Sequence, residues 1–431
     1  MIGLGVREAA AQIREGKISP VDLVDACLER IRALDARIRA WAHVDEAGAR
    51  AAARERLAEA ARGHIRGPLH GVPVGVKDII HVAGMPTTGG AKPWAHSRPA
   101  NDAPAVARLR EAGAVILGKT HTTEFAYRDP APTRNPWNLE HTPGGSSAGS
   151  GAAVAARMVP VALGTQTVGS VLRPAAYCGV VGFKATHGLT PTQDVIPLAW
   201  SLDHVGVLTR SVGDAALALG VLAGHELPSV VPRGAPTIAV APELLERAEP
   251  ETAAHLRATA QVFARAGARI VEVALPASFA QLHDFGLIVL QVEAAAYHAA
   301  DFADHAGEYG PGIRAAIEAG LGRPAVEYVR ANRARLAFRD AVTPILECHD
   351  ALLTPTAPGP APAGLASTGD AWFCAPWRSA GVPAITLPSG IAPSGLPYAV
   401  QLVGAAGRES ALLGTAAWCE GVLRFSSEPS L

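Results

Sequence analysis

Residues Thr142–Gly151 read TPGGSSAGSG and pass directly into the apolar run AAVAARMV. Three serines and four glycines lie within these ten residues, and no other stretch of the chain is as unusual. Three readings compete. A flexible loop capping a helix is one, because serine and glycine are favoured at helix starts. An anion cradle is another, with backbone N–H groups at a helix N-terminus holding a phosphate. Against the cradle, the stretch lacks both the Lys-Ser/Thr ending of a P-loop and GxGxxG spacing. The third is a reactive serine. Gly145-Ser146-Ser147-Ala148-Gly149 matches GxSxG, but a nucleophile elbow needs a strand directly before it. The preceding RNPWNLEHTPG has no strand pattern.

A second Ser/Gly site follows in GTQTVGSVLRPAAYCGVVGFK, residues 164–184. Successive backbone N–H groups over Thr167–Ser170 can converge on one point, and such a nest stabilises an oxyanion during acyl transfer. An ordinary turn before a strand is the alternative.

Charge and cysteine usage exclude several function classes. The formal net charge is -1, and no basic block or stripe marks a nucleic-acid surface. The five cysteines are odd in number and form no CxxC, which argues against a disulfide framework or a zinc site and suits a cytoplasmic protein. The start, MIGLGVREAAAQIREGK, has no apolar signal region. No apolar run reaches the ~20 residues of a membrane helix.

Helical and strand patterns alternate along much of the chain. Ser19-Pro20 opens PVDLVDACLERIRALDARI, where Val21, Val24, Cys27, Ile31 and Leu34 recur at helical spacing behind a Ser cap and a Pro at the first position. PAVARLREAG leads into the buried-strand pattern AVILG, and VGVKDII predicts a strand carrying Lys77. Such alternation predicts an α/β fold around a mixed sheet. Residues 227–337 are mainly helical in pattern and read as an excursion over the core. From Asp350 short strands return in ALLTPT, AITLPS and YAVQLVG. No internal repeat or domain linker appears, so residues 1–431 are expected to form a single domain.

Lys77 in GVPVGVKDII, Ser146 in TPGGSSAGS and Ser170 in GTQTVGSVLRPAAYCGVVGFK resemble the three signature segments of the amidase-signature family, in the family's order. DAPAVARLREAGAVILGKTHTTEFA, SLDHVGVLTRSVGD, DALLTPTAP and GLPYAVQLVG resemble further family blocks, so the likeness runs through most of the chain. FAYRDP and the Ser170 segment are most similar to malonamidase. The resemblance implies a mixed central sheet covered by helices on both faces, and an amidohydrolase needing neither metal nor cofactor. It implies Ser170 as nucleophile, Lys77 as a neutral base, and Ser146, after a cis Gly145–Ser146 bond, as the relay between them. Ser147 would support the network. Thr167, Val168 and Gly169 would supply the oxyanion N–H groups. Thr165, Gln166 and Arg173 are candidate substrate contacts. No histidine is required, and His121, His141 and His187 are expected to be structural or on the surface.

Departures from the family pattern bear on the substrate. Gln166 stands where many members have Asp, and Arg173 lies three residues after Ser170 rather than two. In the malonamidase-like pattern this Arg holds a substrate carboxylate, a contact suited to guanidinium geometry. The alternative is an Arg satisfying backbone carbonyls beside Pro174. Val168 replaces a usual glycine, and a β-branched residue would be strained if that position required φ > 0. Tyr398-Ala399 replaces a smaller pair, with an expected effect on pocket shape. A small amide or carbamate is the expected partner, with no nucleic acid or membrane, and a homodimer is compatible with this reading. Rival functions are a carbamate or ester hydrolase, an amidotransferase A-type subunit, and a nucleotide-binding protein built on the Gly/Ser loop. The A-type subunit usually keeps the Asp-Thr-Gly-Gly-Ser-Ile-Arg pattern absent here.

Overall fold

The computed structural model describes residues 1–225 and 234–431. Among these, eleven strands form one mixed sheet in the order β1-β3-β2-β4-β6-β5-β10-β11-β9-β7-β8. In chain order they are β1 (Trp41–Val44), β2 (Pro73–Lys77), β3 (Val115–Thr120), β4 (Val161–Gln166), β5 (Val181–Lys184), β6 (His204–Thr209), β7 (Thr237–Val240), β8 (Arg269–Glu272), β9 (Ala351–Pro355), β10 (Ala384–Ile391) and β11 (Pro397–Val403). β3, β2 and β4 run parallel, as do β9, β7 and β8. β6, β5, β10 and β11 pair antiparallel between these two groups.

Helices cover both faces, and the period-2 alternation of strands shows how. Val161 and Leu163 of β4 join one apolar core, with Val212, Leu219 and Leu412 from helices on that side. Ala162 joins the other, with Val24, Leu28 and Ala152–Ala155 from opposing helices. The expected first long helix spans Pro20–Ile38, and Ser19 Oγ accepts from the Val21 amide at 3.0 Å as its cap.

Residues 234–337 are mainly helical but also supply β7 and the edge strand β8. The expected start of this excursion falls outside the described residues. Its long helix Leu282–His305 buries Val289, Leu290 and Ala294 in the same core as the central strands.

The Gly/Ser run divides into a buried non-helical segment, Thr142–Ser147, and the start of the helix Ala148–Ala155, every residue of which is buried. This overturns the flexible-loop reading. A Cβ on Gly149 would collide with the Ala40 carbonyl and the His121 amide, so glycine there permits backbone contact rather than mobility.

Candidate active site

β2 and β4 are parallel neighbours with Val76 opposite Leu163, so their carboxyl ends lie side by side. That end of a parallel sheet is where open α/β folds place ligands. Lys77 ends β2 and reaches across to β4. Its Nζ donates to Thr165 Oγ1 at 2.7 Å and to Ser146 Oγ at 2.6 Å. Lys77 is fully buried, and no carboxylate forms an ion pair with it among the described residues. Burial therefore holds its ammonium well below lysine's ordinary 10.5, with Asp203 a lesser opposing influence.

Ser146 follows a cis peptide bond from Gly145. Its carbonyl accepts from the Thr123 amide at 3.1 Å. Ser147 stitches the segments together: its amide donates to the Ser170 carbonyl at 3.2 Å, and its Oγ donates to the Thr165 carbonyl and accepts from the Thr165 amide, each at 3.2 Å.

Gln166 clamps the turn that carries Ser170. Its Oε1 accepts from the amides of Val171 at 2.9 Å and Leu172 at 3.0 Å, tying the end of β4 to the start of helix Leu172–Tyr177. Within this turn the amides of Thr167, Val168, Gly169 and Ser170 donate to no acceptor among the described residues. Val168 keeps ordinary negative φ, so the β-branched residue is unstrained. Ser170, Thr167 and Val168 line a cavity of about 370 Å³, at the small end of ligand sites.

Three groups outside the expected set complete the site. Asp203 precedes β6, and the pairing of Gln166 with His204 sets it beside Thr167. Its Oδ1 accepts from Thr167 Oγ1 at 2.5 Å, while Oδ2 accepts from the amides of Leu198 and Ala199. Burial raises its pKa to about 6. Arg378 and His283 line the same cavity. Asp203 stood in a recognised block, but only strand register reveals what it touches. Arg378 did carry a signal: it is the single charge in FCAPWRSAGVPAITL, and a charge in so apolar a run is either buried with partners or functional.

Several expected substrate contacts sit elsewhere. Thr165 and Gln166 are buried behind the turn and do not line the cavity. Arg173 lines it, but its guanidinium is committed. Nη1 donates to the Gly369 carbonyl at 2.6 Å, and Nη2 donates to the Gly145 carbonyl at 2.7 Å and Thr368 Oγ1 at 3.0 Å. Tyr398 stacks on His255 with ring centroids 4.3 Å apart and does not shape the cavity. His121, His141 and His187 also lie off it.

A buried amine on one serine, a second serine in a cavity, and unpaired amides beside it form an arrangement able to move a proton and hold an oxyanion. Known proteins resemble this chain in sequence and in fold. The Amidase family profile matches residues 22–413. The chain is 36% identical over 461 residues to the A-type subunit of the glutamyl-tRNA(Gln) amidotransferase of Roseiflexus castenholzii, covering 95% of this chain and 94% of that one. It is 38% identical over 377 residues to an amidase of Pseudomonas putida, covering 83% and 80% respectively. A crystal structure of an amidase superposes with a TM-score of 0.91 at 34% identity, covering 97% of this chain and all of the other. With the profile spanning nearly the whole chain and the fold superposing end to end, the protein belongs to the amidase-signature family of amide-hydrolysing enzymes.

Proposed function

We propose that the protein hydrolyses a small amide through an acyl-enzyme on Ser170, with Ser146 and Lys77 as the proton path. The observation that supports this most is the fully buried Lys77 amine at 2.6 Å from Ser146 Oγ, held toward its neutral form by burial. A serine hydroxyl needs a base to attack. In the forward step Ser170 Oγ bonds to the amide carbon, its proton passes to Ser146, and the Ser146 proton passes to Lys77. The carbonyl oxygen becomes an oxyanion facing the unpaired amides of Thr167, Val168 and Gly169. The proton then returns through Ser146 to the leaving nitrogen, the C–N bond breaks, and water releases the acyl group by the reverse path. Similarity to A-type amidotransferase subunits supports a second reading, glutamine hydrolysis within a complex. A panel of small amides including glutamine, with carbamates and esters, on wild type and Ser170→Ala tests both. Turnover that survives in the variant would refute the proposed nucleophile.

Arg173 is assigned here to positioning. It bridges the nucleophile's helix to Gly145 and to the loop at Thr368–Gly369. Losing one hydrogen bond from a charged donor costs about 1.5–3 kcal/mol, and the displaced nucleophile is taken to feel the equivalent of one such loss. Arg173→Ala is therefore expected to lower kcat/KM by roughly ten- to a hundred-fold, to the same degree on carboxylate-bearing and neutral amides. A selective loss on the charged amide would restore the substrate-binding role.

A further inference from the structure

Arg378 has no place in the proton path, yet it is one of the largest fully buried side chains of the protein. It sits on the short helix Ala375–Ala380 and reaches the cavity that contains Ser170. Two of its nitrogens have neutral partners: Nε donates to the Ala375 carbonyl at 3.1 Å and Nη1 to the Thr167 carbonyl at 3.2 Å. Nη2 donates to nothing among the described residues, and no carboxylate forms an ion pair with the guanidinium there. Asp203 attracts it from nearby but does not pair with it, and a buried cation without a directly paired counter-charge is costly unless something negative meets it. Burial and the nearby Arg335 pull its pKa down to about 9, which leaves it charged at neutral pH.

The surroundings reinforce the sign of this site. The cavity is also lined by Arg128, Arg173 and His283, against a single carboxylate, Asp370, which is exposed. Asp370 is itself engaged, accepting from the Trp372 amide at 2.8 Å. His283 Nδ1 is buried without a partner. Arg173 already donates to three acceptors, so Arg378 has the more available N–H groups. Glycine at 286 lets the helix Leu282–His305 pack directly on the Nε and Nη2 side of the guanidinium, since a Cβ there would collide with Nη2 and lie 2.8 Å from Cζ.

We propose that Arg378 is the specificity residue of the cavity, and that its free Nη2 edge receives a carboxylate carried by the amide substrate. This rests on Ser170 being the nucleophile of the same cavity. A carboxylate can accept from Nη2 and from the remaining N–H of Nη1, the paired geometry that guanidinium favours. Such a contact discriminates by charge, because a neutral substrate of equal length would leave the cation unanswered.

The test separates binding from chemistry. A fluorophosphonate probe should label Ser170 of the wild type, with succinate protecting that site and butyramide far less so. Arg378→Gln should abolish succinate protection. It should also lower kcat/KM for succinamate roughly ten- to a hundred-fold more than for butyramide, whose own loss reports the broken bond to the Thr167 carbonyl. Arg378→Lys should restore part of the difference. Gly286→Ala keeps every charge but displaces the guanidinium, so it should weaken succinate protection in the same direction. It decides the matter should Arg378→Gln fail to fold. Equal losses on succinamate and butyramide, or undiminished succinate protection in Gly286→Ala, would show that Arg378 only supports Thr167. Failure of the probe to label Ser170 would instead overturn the proposed nucleophile, and this assignment with it.

Discussion

Ser170→Ala is expected to lower kcat by roughly six orders of magnitude, the scale seen when a serine hydrolase loses its nucleophile. The fold should survive. The Ser170 side chain faces the cavity and caps no helix, so removing one hydroxyl leaves no core void. Thermal unfolding should match the wild type within a few degrees. Substrate should still bind, because the unpaired amides and Arg378 remain. A variant that binds succinate but releases no ammonia from succinamate is the outcome that supports the assignment. One retaining a tenth of wild-type turnover would remove Ser170 from the mechanism.

Lys77→Ala is expected to cost about two to four orders of magnitude, the range for loss of a general base. Ser146→Ala should cost a similar factor, and the double variant little more than either alone, because one proton crosses both groups. Full additivity would mean that they do not act in series. The pH profile gives an independent check. Lys77 must be neutral to accept a proton, so kcat/KM should rise as pH passes upward through its pKa. Burial sets that limb well below the usual 10.5 of lysine. Stability follows the same sign. Between the depressed native pKa and the ordinary unfolded one, the unfolded chain binds more protons, so this group's contribution to stability increases with pH over that window. A rising limb near lysine's ordinary pKa would show that the base is not a desolvated amine.

Local signals carried much of the fold and the site. Ser19-Pro20 marked a helix start, and VGVKDII placed Lys77 on a strand, because caps and strand patterns are written in adjacent residues. The segments around Ser146 and Ser170 were recognisable as short contiguous motifs. What escaped depends on pairing between distant segments. Asp203 meets Thr167 only because β6 runs antiparallel to β4 in one particular register. Gln166 was expected to contact substrate, but its position at the end of β4 turns its amide oxygen onto the following helix. Arg173 follows the same logic, since its acceptors Gly145 and Gly369 come from far-apart loops. β7 and β8 are four-residue strands at the end of the sheet, too short to show through the Ala-rich helical pattern around them.

The residues proposed to move the proton, Lys77, Ser146 and Ser170, come from the end of β2 and from two buried segments in the first half of the chain. Arg378, His283 and Gly286 belong to helices that reach the cavity from later in the chain. A duplicated copy of such a gene can therefore acquire a new substrate by drift in its later helices while the proton route stays intact. Chemistry and diet descend by separate lines within one molecule, and a chimera exchanging residues 282–290 and 375–380 between relatives would carry preference across without carrying mechanism.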